Sequence, residues 1–139
     1  KCRMPKVHKK RKCVAAKKQI KSHLLNKGNS NIEVSESLIS YWFHILNSAA
    51  FKNKLPLPEK IIIKRMIGAW GYCEGRSRSK NCIITISSKI NNKSFLLATI
   101  AHEMVHQYQW IYGGSECIDH GKSFREWKEY FRKNFSIIL

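Results

Sequence analysis

The chain has 139 residues, 43% of them hydrophobic, and sets 26 Lys and Arg against nine Asp and Glu for a formal net charge of +17. That length suits one domain with a core of its own, and that apolar share excludes wholesale disorder. Apolar runs such as Ile61-Ile62-Ile63 and the Ser136–Leu139 tail are far too short to span a bilayer, and no apolar stretch follows the basic start as a signal peptide requires.

The charge is uneven. Residues 1–30 hold eleven Lys and Arg and no acidic residue, which leaves fifteen basic and nine acidic groups for the rest. A surplus of this kind favours a polyanionic partner, and DNA, single- or double-stranded, is the expected one. Lys9, Lys10, Arg11, Lys12, Lys17, Lys18 and Lys21 are the first candidates for phosphate contact. The alternatives are a solvated tail or one drawn to anionic lipid. From Lys9 to Lys27 the pattern predicts a helix with Val14, Lys17, Lys21, Leu24 and Leu25 along one side, ended by Gly28. So few apolar residues do not anchor a core, so residues 1–30 are expected to form a basic arm, ordered by a partner or by weak docking.

The compact domain is expected over residues 31–139. Ser35 is a candidate N-cap with Glu36 in the first turn, and Leu38, Tyr41, Trp42, Ile45, Leu46 and Ala49 follow the spacing of a buried helical stripe. Pro56 and Pro58 are expected to stop that helix. Lys60–Met66, Ala69–Glu74 and Asn81–Ser87 are rich in β-branched and aromatic residues and predict strands, the last two joined by the turn from Gly75 to Lys80. A long helix is expected from Asn92 to Tyr112. Leu97, Ile100, Met104 and Ile111 form its core stripe, while His102, His106 and Gln109 share another face. Gly113-Gly114 breaks it, and a last helix from Gly121 to Asn134 places Phe124, Trp127 and Phe131 on one side. The fold class is therefore α+β. Five cysteines without a C-x-x-C pair argue for a reducing, intracellular compartment, with Cys73 and Cys82 as core residues facing across strands rather than a bridge. Cys2, His8 and Cys13 match no standard finger spacing.

The chemistry concentrates in the long helix. Ala101-His102-Glu103-Met104-Val105-His106 is an H-E-x-x-H motif, and His120 follows fourteen residues after His106. Residues four apart on a helix share a face, so His102 and His106 can offer lone pairs to one ion. His120 is the natural third ligand, because the loop after Gly113 lets the chain reverse and Gly121 leaves room for close approach. One Zn2+ held by three imidazoles keeps an open position for water and lowers its pKa from about 15.7 towards 7. Glu103, one residue round from a ligand, then serves as general base for attack of the zinc-bound water on a peptide bond and returns the proton to the leaving amine. The other reading of the motif is two His and a Glu decorating an exposed helix face. His8, His23 and His44 have no comparable company.

These residues resemble the SprT-like (Spartan) metalloproteases. Leu46–Pro56 is similar to the family's first helix and its exit to a proline. Gly71-Tyr72-Cys73-Glu74-Gly75 with Asn81–Ser87 is similar to its hairpin, Ala101–His106 to its active-site helix, and Asp119-His120-Gly121-Lys122-Ser123-Phe124 to its H-G-x-x-F segment. The resemblance runs from about Val34 to Phe131. It implies a minimal zincin-like domain, a small mixed or antiparallel sheet packed with helices, in which His102, His106 and His120 bind zinc and Glu103 is the base. It also implies DNA-dependent proteolysis of DNA-associated or DNA-crosslinked proteins, hence a role in DNA repair. Two features depart from the family: no Cys-rich zinc ribbon follows, since Cys117 is the only cysteine after Cys82, and the basic arm is not a general family feature.

Beyond the arm, Trp70 and Tyr72 beside Arg76, Arg78 and Lys80 suggest a platform that stacks an unpaired base while cations hold phosphates. Against this, Trp70 could be core and the turn a solvated hairpin tip, and Trp42, Trp110 and Trp127 fall on helical stripes as core residues. The leading functional expectation is a DNA-stimulated zinc endopeptidase, a monomer without membrane contact. The alternatives are a non-enzymatic DNA-binding or packaging protein with a structural zinc, and a zinc hydrolase acting on another amide, such as one in cell-wall peptide. DNA as partner places the expected site of action at a nucleoid or nucleus. The many Lys, Ile and Asn residues suggest an AT-rich coding genome, viral or from a small-genome host.

Overall fold

The computed structural model describes residues 11–25, 32–113 and 118–139. Cys2, His8, Lys9, Lys10, Lys27, Gly28, Gly114 and Cys117 lie outside the described residues, as do the side chains of Arg11, Lys12, Cys13, Val14, Leu24 and Leu25. The described chain runs α1 (Arg11–Leu25), α2 (Glu36–Ala50), β1 (Lys60–Lys64), β2 (Gly71–Gly75), β3 (Cys82–Ser87), α3 (Lys93–Gly113) and α4 (Lys122–Phe135). The fold is α+β. The sheet is mixed, in the order β1-β3-β2, with β1 parallel and β2 antiparallel to the central β3.

Strand alternation sets what the sheet offers to the helices. Ile61 and Ile63 stand opposite Ile84 and Ile86, while Gly71, Cys73 and Gly75 stand opposite Ile86, Ile84 and Cys82. These residues share the core face of the sheet. Tyr72 and Glu74 alternate to the exposed side. Cys73 and Cys82 are buried free thiols. They lie diagonally across the β2–β3 pair, and the Cys73 thiol is held far above its usual range by its hydrogen bond with Cys82 and by burial.

α3 lies against that face and is buried on more sides than its expected stripe allows. From Leu96 to Gln109 only Ala98 and His102 are partly exposed. It is the central helix of the domain, and a helix covered on several sides does not show a single apolar stripe. Asn92 caps its start, its side-chain oxygen accepting from Phe95 N at 3.0 Å.

α2 begins as its sequence predicts, with Ser35 Oγ accepting from Leu38 N at 3.1 Å. Its buried face keeps Trp42, Ile45, Leu46 and Ala49 of the expected stripe and widens to take in Ile39 and Phe43. Ile39 and Phe43 are at 1% exposure, whereas Tyr41 is 48% exposed and accepts a hydrogen bond from Gln19 Nε2. The helix ends at Ala50, before either proline, where Lys52 and Asn53 take left-handed backbone angles. Asn47 then ties the exit, donating to Leu55 O at 2.7 Å and accepting from Leu55 N at 3.1 Å.

α1 packs on the domain through Ala16 and Ile20, the latter at 0% exposure, and through His23, whose ring lies 4.1 Å from that of Trp42. The face with Lys17 and Lys21 is exposed, so the buried side is rotated from the one expected. Ala16 and Ile20, one helical turn apart, are the buried apolar side chains described on this helix.

α4 closes the other side. Phe51, after α2, lies 4.8 Å from Trp127 and 5.7 Å from Phe131, and Tyr108 of α3 lies 5.0 Å from Trp127. Rings in such tilted pairs add about 0.5–1.5 kcal/mol each beyond burial. This cluster locks α4 onto α3 and thereby fixes the position of the segment that carries His120.

Candidate metal centre

Three imidazoles meet at the junction of α3 with the start of α4. His102 Nε2 lies 3.1 Å from His120 Nε2, and His106 Nε2 lies 3.2 Å from each of them. Helical spacing brings the first two together, and the chain before α4 delivers the third. The three edges are close to the roughly 3.3–3.4 Å edge of a tetrahedron whose metal–nitrogen bonds are about 2.0–2.1 Å. Among the described residues this is the group whose donor atoms can hold a metal ion.

Phe124 forms the floor of the cluster. Its ring centroid lies 4.7 Å from that of His102, 5.1 Å from His106 in a stacked arrangement, and 4.7 Å from His120. It is buried, and its position four residues after His120 in the first turns of α4 brings it under all three rings. Burial, then the neighbouring imidazoles and Lys128, hold His102 down at about 4. His106 is also lowered, chiefly by burial, against the opposing effect of the hydrogen bond it makes to Gln109 Oε1. Both rings are thus neutral near pH 7, the state a metal requires.

Glu103 points from α3 towards β2 and is 4% exposed. Burial pushes its carboxyl up to about 8. A divalent cation at the triad opposes that shift by favouring the carboxylate. Gly71 makes the arrangement possible: a Cβ there would stand 2.6 Å from Glu103 Oε2. At the other end of β2, a Cβ on Gly75 would overlap the Trp110 ring. The two glycines let the edge strand lie directly on α3.

A cleft of about 310 Å³ opens beside Glu103 and His102, lined also by Trp70, Gly71, Phe95, Ala98 and Ile138. Trp70 packs edge-on against Phe95, with ring centroids 5.2 Å apart. Trp70 is thus neither core nor part of the basic turn. It lines the cleft, and the extended strand separates it by roughly 20 Å from Arg76, at about 3.3 Å per residue. Arg76, Arg78 and Lys80 are exposed at the hairpin end, and Lys17, Lys18 and Lys21 are exposed on α1. Trp42 and Trp127 are buried, whereas Trp110 is half-buried against Gly75.

The model of the SprT-like family matches residues 39–137, a span from α2 to the end of α4 that contains the whole triad. The chain belongs to the SprT-like family. A SprT-like domain is metalloprotease-like, and the convergence of three histidine nitrogens fits that class. A comparison with curated proteins finds no match. Beyond the motif, Phe124 and Gly71 contribute by packing, the one beneath the three imidazoles and the other by leaving room for Glu103. Among the described residues, no helix of the SprT-like domain is long and apolar enough to cross a membrane.

Proposed function

We propose that the chain is a zinc-dependent endopeptidase of the zincin-like type, stimulated by DNA and acting on proteins bound or crosslinked to it. The observation that carries this is the pairing of a tight imidazole triad with a buried carboxylate, Glu103, that is not one of the three donors. Bound zinc would supply a Lewis acid for the scissile carbonyl and acidify a water molecule near pH 7. His102, His106 and His120 would hold it. Glu103, one residue from a ligand and screened from bulk solvent, accepts the proton of the attacking water and passes it to the leaving nitrogen.

β2 is an edge strand, and Gly71 brings its backbone onto Glu103. An extended peptide that adds to this edge passes the carboxylate and can place a side chain in the Trp70–Phe95 cleft. The DNA component rests on the net charge of +17 and on the exposed cations of α1 and the β2–β3 turn.

The test is zinc content and casein or histone cleavage, each with and without single- and double-stranded DNA. Glu103→Gln should retain zinc and lose about 10²–10⁴-fold in cleavage rate. Undiminished proteolysis by that variant overturns the mechanism. Zinc and DNA binding without cleavage by the unmodified chain would instead mark a DNA-binding protein braced by a structural ion.

A further inference from the structure

Gln109 sits one turn after His106 at 0% exposure, and both ends of its amide are used. Its Nε2 donates to Asp119 O at 3.2 Å and to Ser123 Oγ at 3.2 Å. Its Oε1 lies 2.8 Å from His106 Nδ1. The orientation of the amide follows from its partners. A backbone carbonyl only accepts, so the NH₂ group faces Asp119 and the oxygen faces His106. An amide oxygen also only accepts, so His106 carries its proton on Nδ1 and keeps the Nε2 lone pair for the triad.

We propose that Gln109 is the positioning residue of the metal centre: one side chain fixes the tautomer of His106 and ties the segment bearing His120 to the active-site helix. The inference rests on the zinc reading above. Two of three ligands come under its control from opposite ends of one amide. His106 lies on the same helix, while Asp119, the residue before His120, is reached across ten positions of chain. Asp119 is itself shaped to present His120, its Oδ1 accepting from Gly121 N at 2.9 Å. A neutral amide also leaves His106 less electron-rich than a carboxylate partner would, which preserves the acidity of a bound ion.

Gln109→Leu keeps the volume and removes both hydrogen-bonding arms. Its zinc affinity, measured by competition with a chromophoric chelator at pH 7, should fall about 10–100-fold. The spectrum of the cobalt-substituted protein should change with it. Gln109→Glu retains the acceptor for His106 but loses the donor to Asp119 O, so it should recover only part of the affinity. Zinc affinity of Gln109→Leu within twofold of the unmodified chain overturns the proposal, because a packing role alone is met by leucine. A second measurement does not depend on either variant folding. In the chelated, unmodified protein the ring-nitrogen chemical shifts of His106 should report the Nδ1–H tautomer, and an Nε2–H tautomer overturns the assignment. Failure of the unmodified chain to bind zinc would sink the endopeptidase reading, while the tautomer measurement, made without metal, still decides the role of Gln109.

Discussion

The metal face and the basic surface of this molecule are specified in opposite ways. At the first, each functional atom is held by several others: three imidazoles on one phenylalanine ring, a glutamate against a glycine, an amide bridging α3 to the segment before α4. At the second, Lys17, Lys18, Lys21, Arg76, Arg78 and Lys80 are exposed on elements at separate places in the fold. Burial and hydrogen bonding define chemistry to a fraction of an ångström, whereas loose cations define a field. A site of the first kind fails when one packing residue is lost. A surface of the second kind loses function in proportion to charge.

The largest expected effect on the metal side is Phe124→Ala. Removing a fully packed aromatic side chain costs about 3–5 kcal/mol, and here the vacated space lies under all three ligand rings. Thermal unfolding should drop sharply, and zinc affinity should fall even in the fraction that remains folded. Equal zinc affinity would show that the aromatic floor does not hold the rings.

The next effect concerns pH. In the chelated protein, the Glu103 carboxyl is raised from 4.5 to about 8 by burial. Its stabilisation is complete below pH 4.5 and is lost as pH rises through about 8. His102 is lowered from 6.5 to about 4, so its contribution is complete above pH 6.5 and is lost as pH falls through about 4. Between pH 6.5 and 8 the Glu103 loss dominates, and the melting temperature of the chelated protein should fall by on the order of 5 °C. Glu103→Gln should flatten that fall, and zinc should stabilise the unmodified chain more at pH 8 than at pH 6.5. A chelated protein whose melting temperature is level across this range would mean that Glu103 is better solvated than its burial indicates.

Much of this was legible in sequence because it follows local rules. The i, i+4 spacing of His102 and His106, the Ser35 cap and the strand runs are short-range patterns, and the structure keeps each of them. What was not legible depends on the far side of an element. The core stripe of α3 widened because the sheet and other helices cover it from several directions. The buried face of α2 kept Trp42, Ile45, Leu46 and Ala49 but widened to Ile39 and Phe43 and left Tyr41 exposed, and α1 seated Ala16 and Ile20 instead of its lysine-bearing side. Trp70 moved from the basic turn to the cleft because a strand is extended, so residues a few positions apart in sequence end far apart in space. Gln109 shares its helix face with the ligands, a visible sign, but its use of both amide ends appears only once Asp119 and Ser123 are placed beside it.

The smallest expected effect belongs to the basic surface, and it separates two groups of cations. Neutralising Lys17, Lys18 and Lys21 together should lower the salt dependence of DNA binding by roughly two to three units of log–log slope, at about 0.7–0.9 per phosphate contact, if all three face phosphates. Neutralising Arg76, Arg78 and Lys80 should do the same. The two sets differ in where they bring the nucleic acid. The hairpin turn ends the strand that passes Glu103, whereas α1 rests on α2 through Ala16 and Ile20. DNA held at the turn lies in line with the cleft, so the hairpin variant should lose more DNA-stimulated cleavage while its cleavage without DNA stays level. An equal loss from both sets would assign the stimulation to total charge. A loss confined to the α1 variant would move the DNA path to the α1 side of the domain.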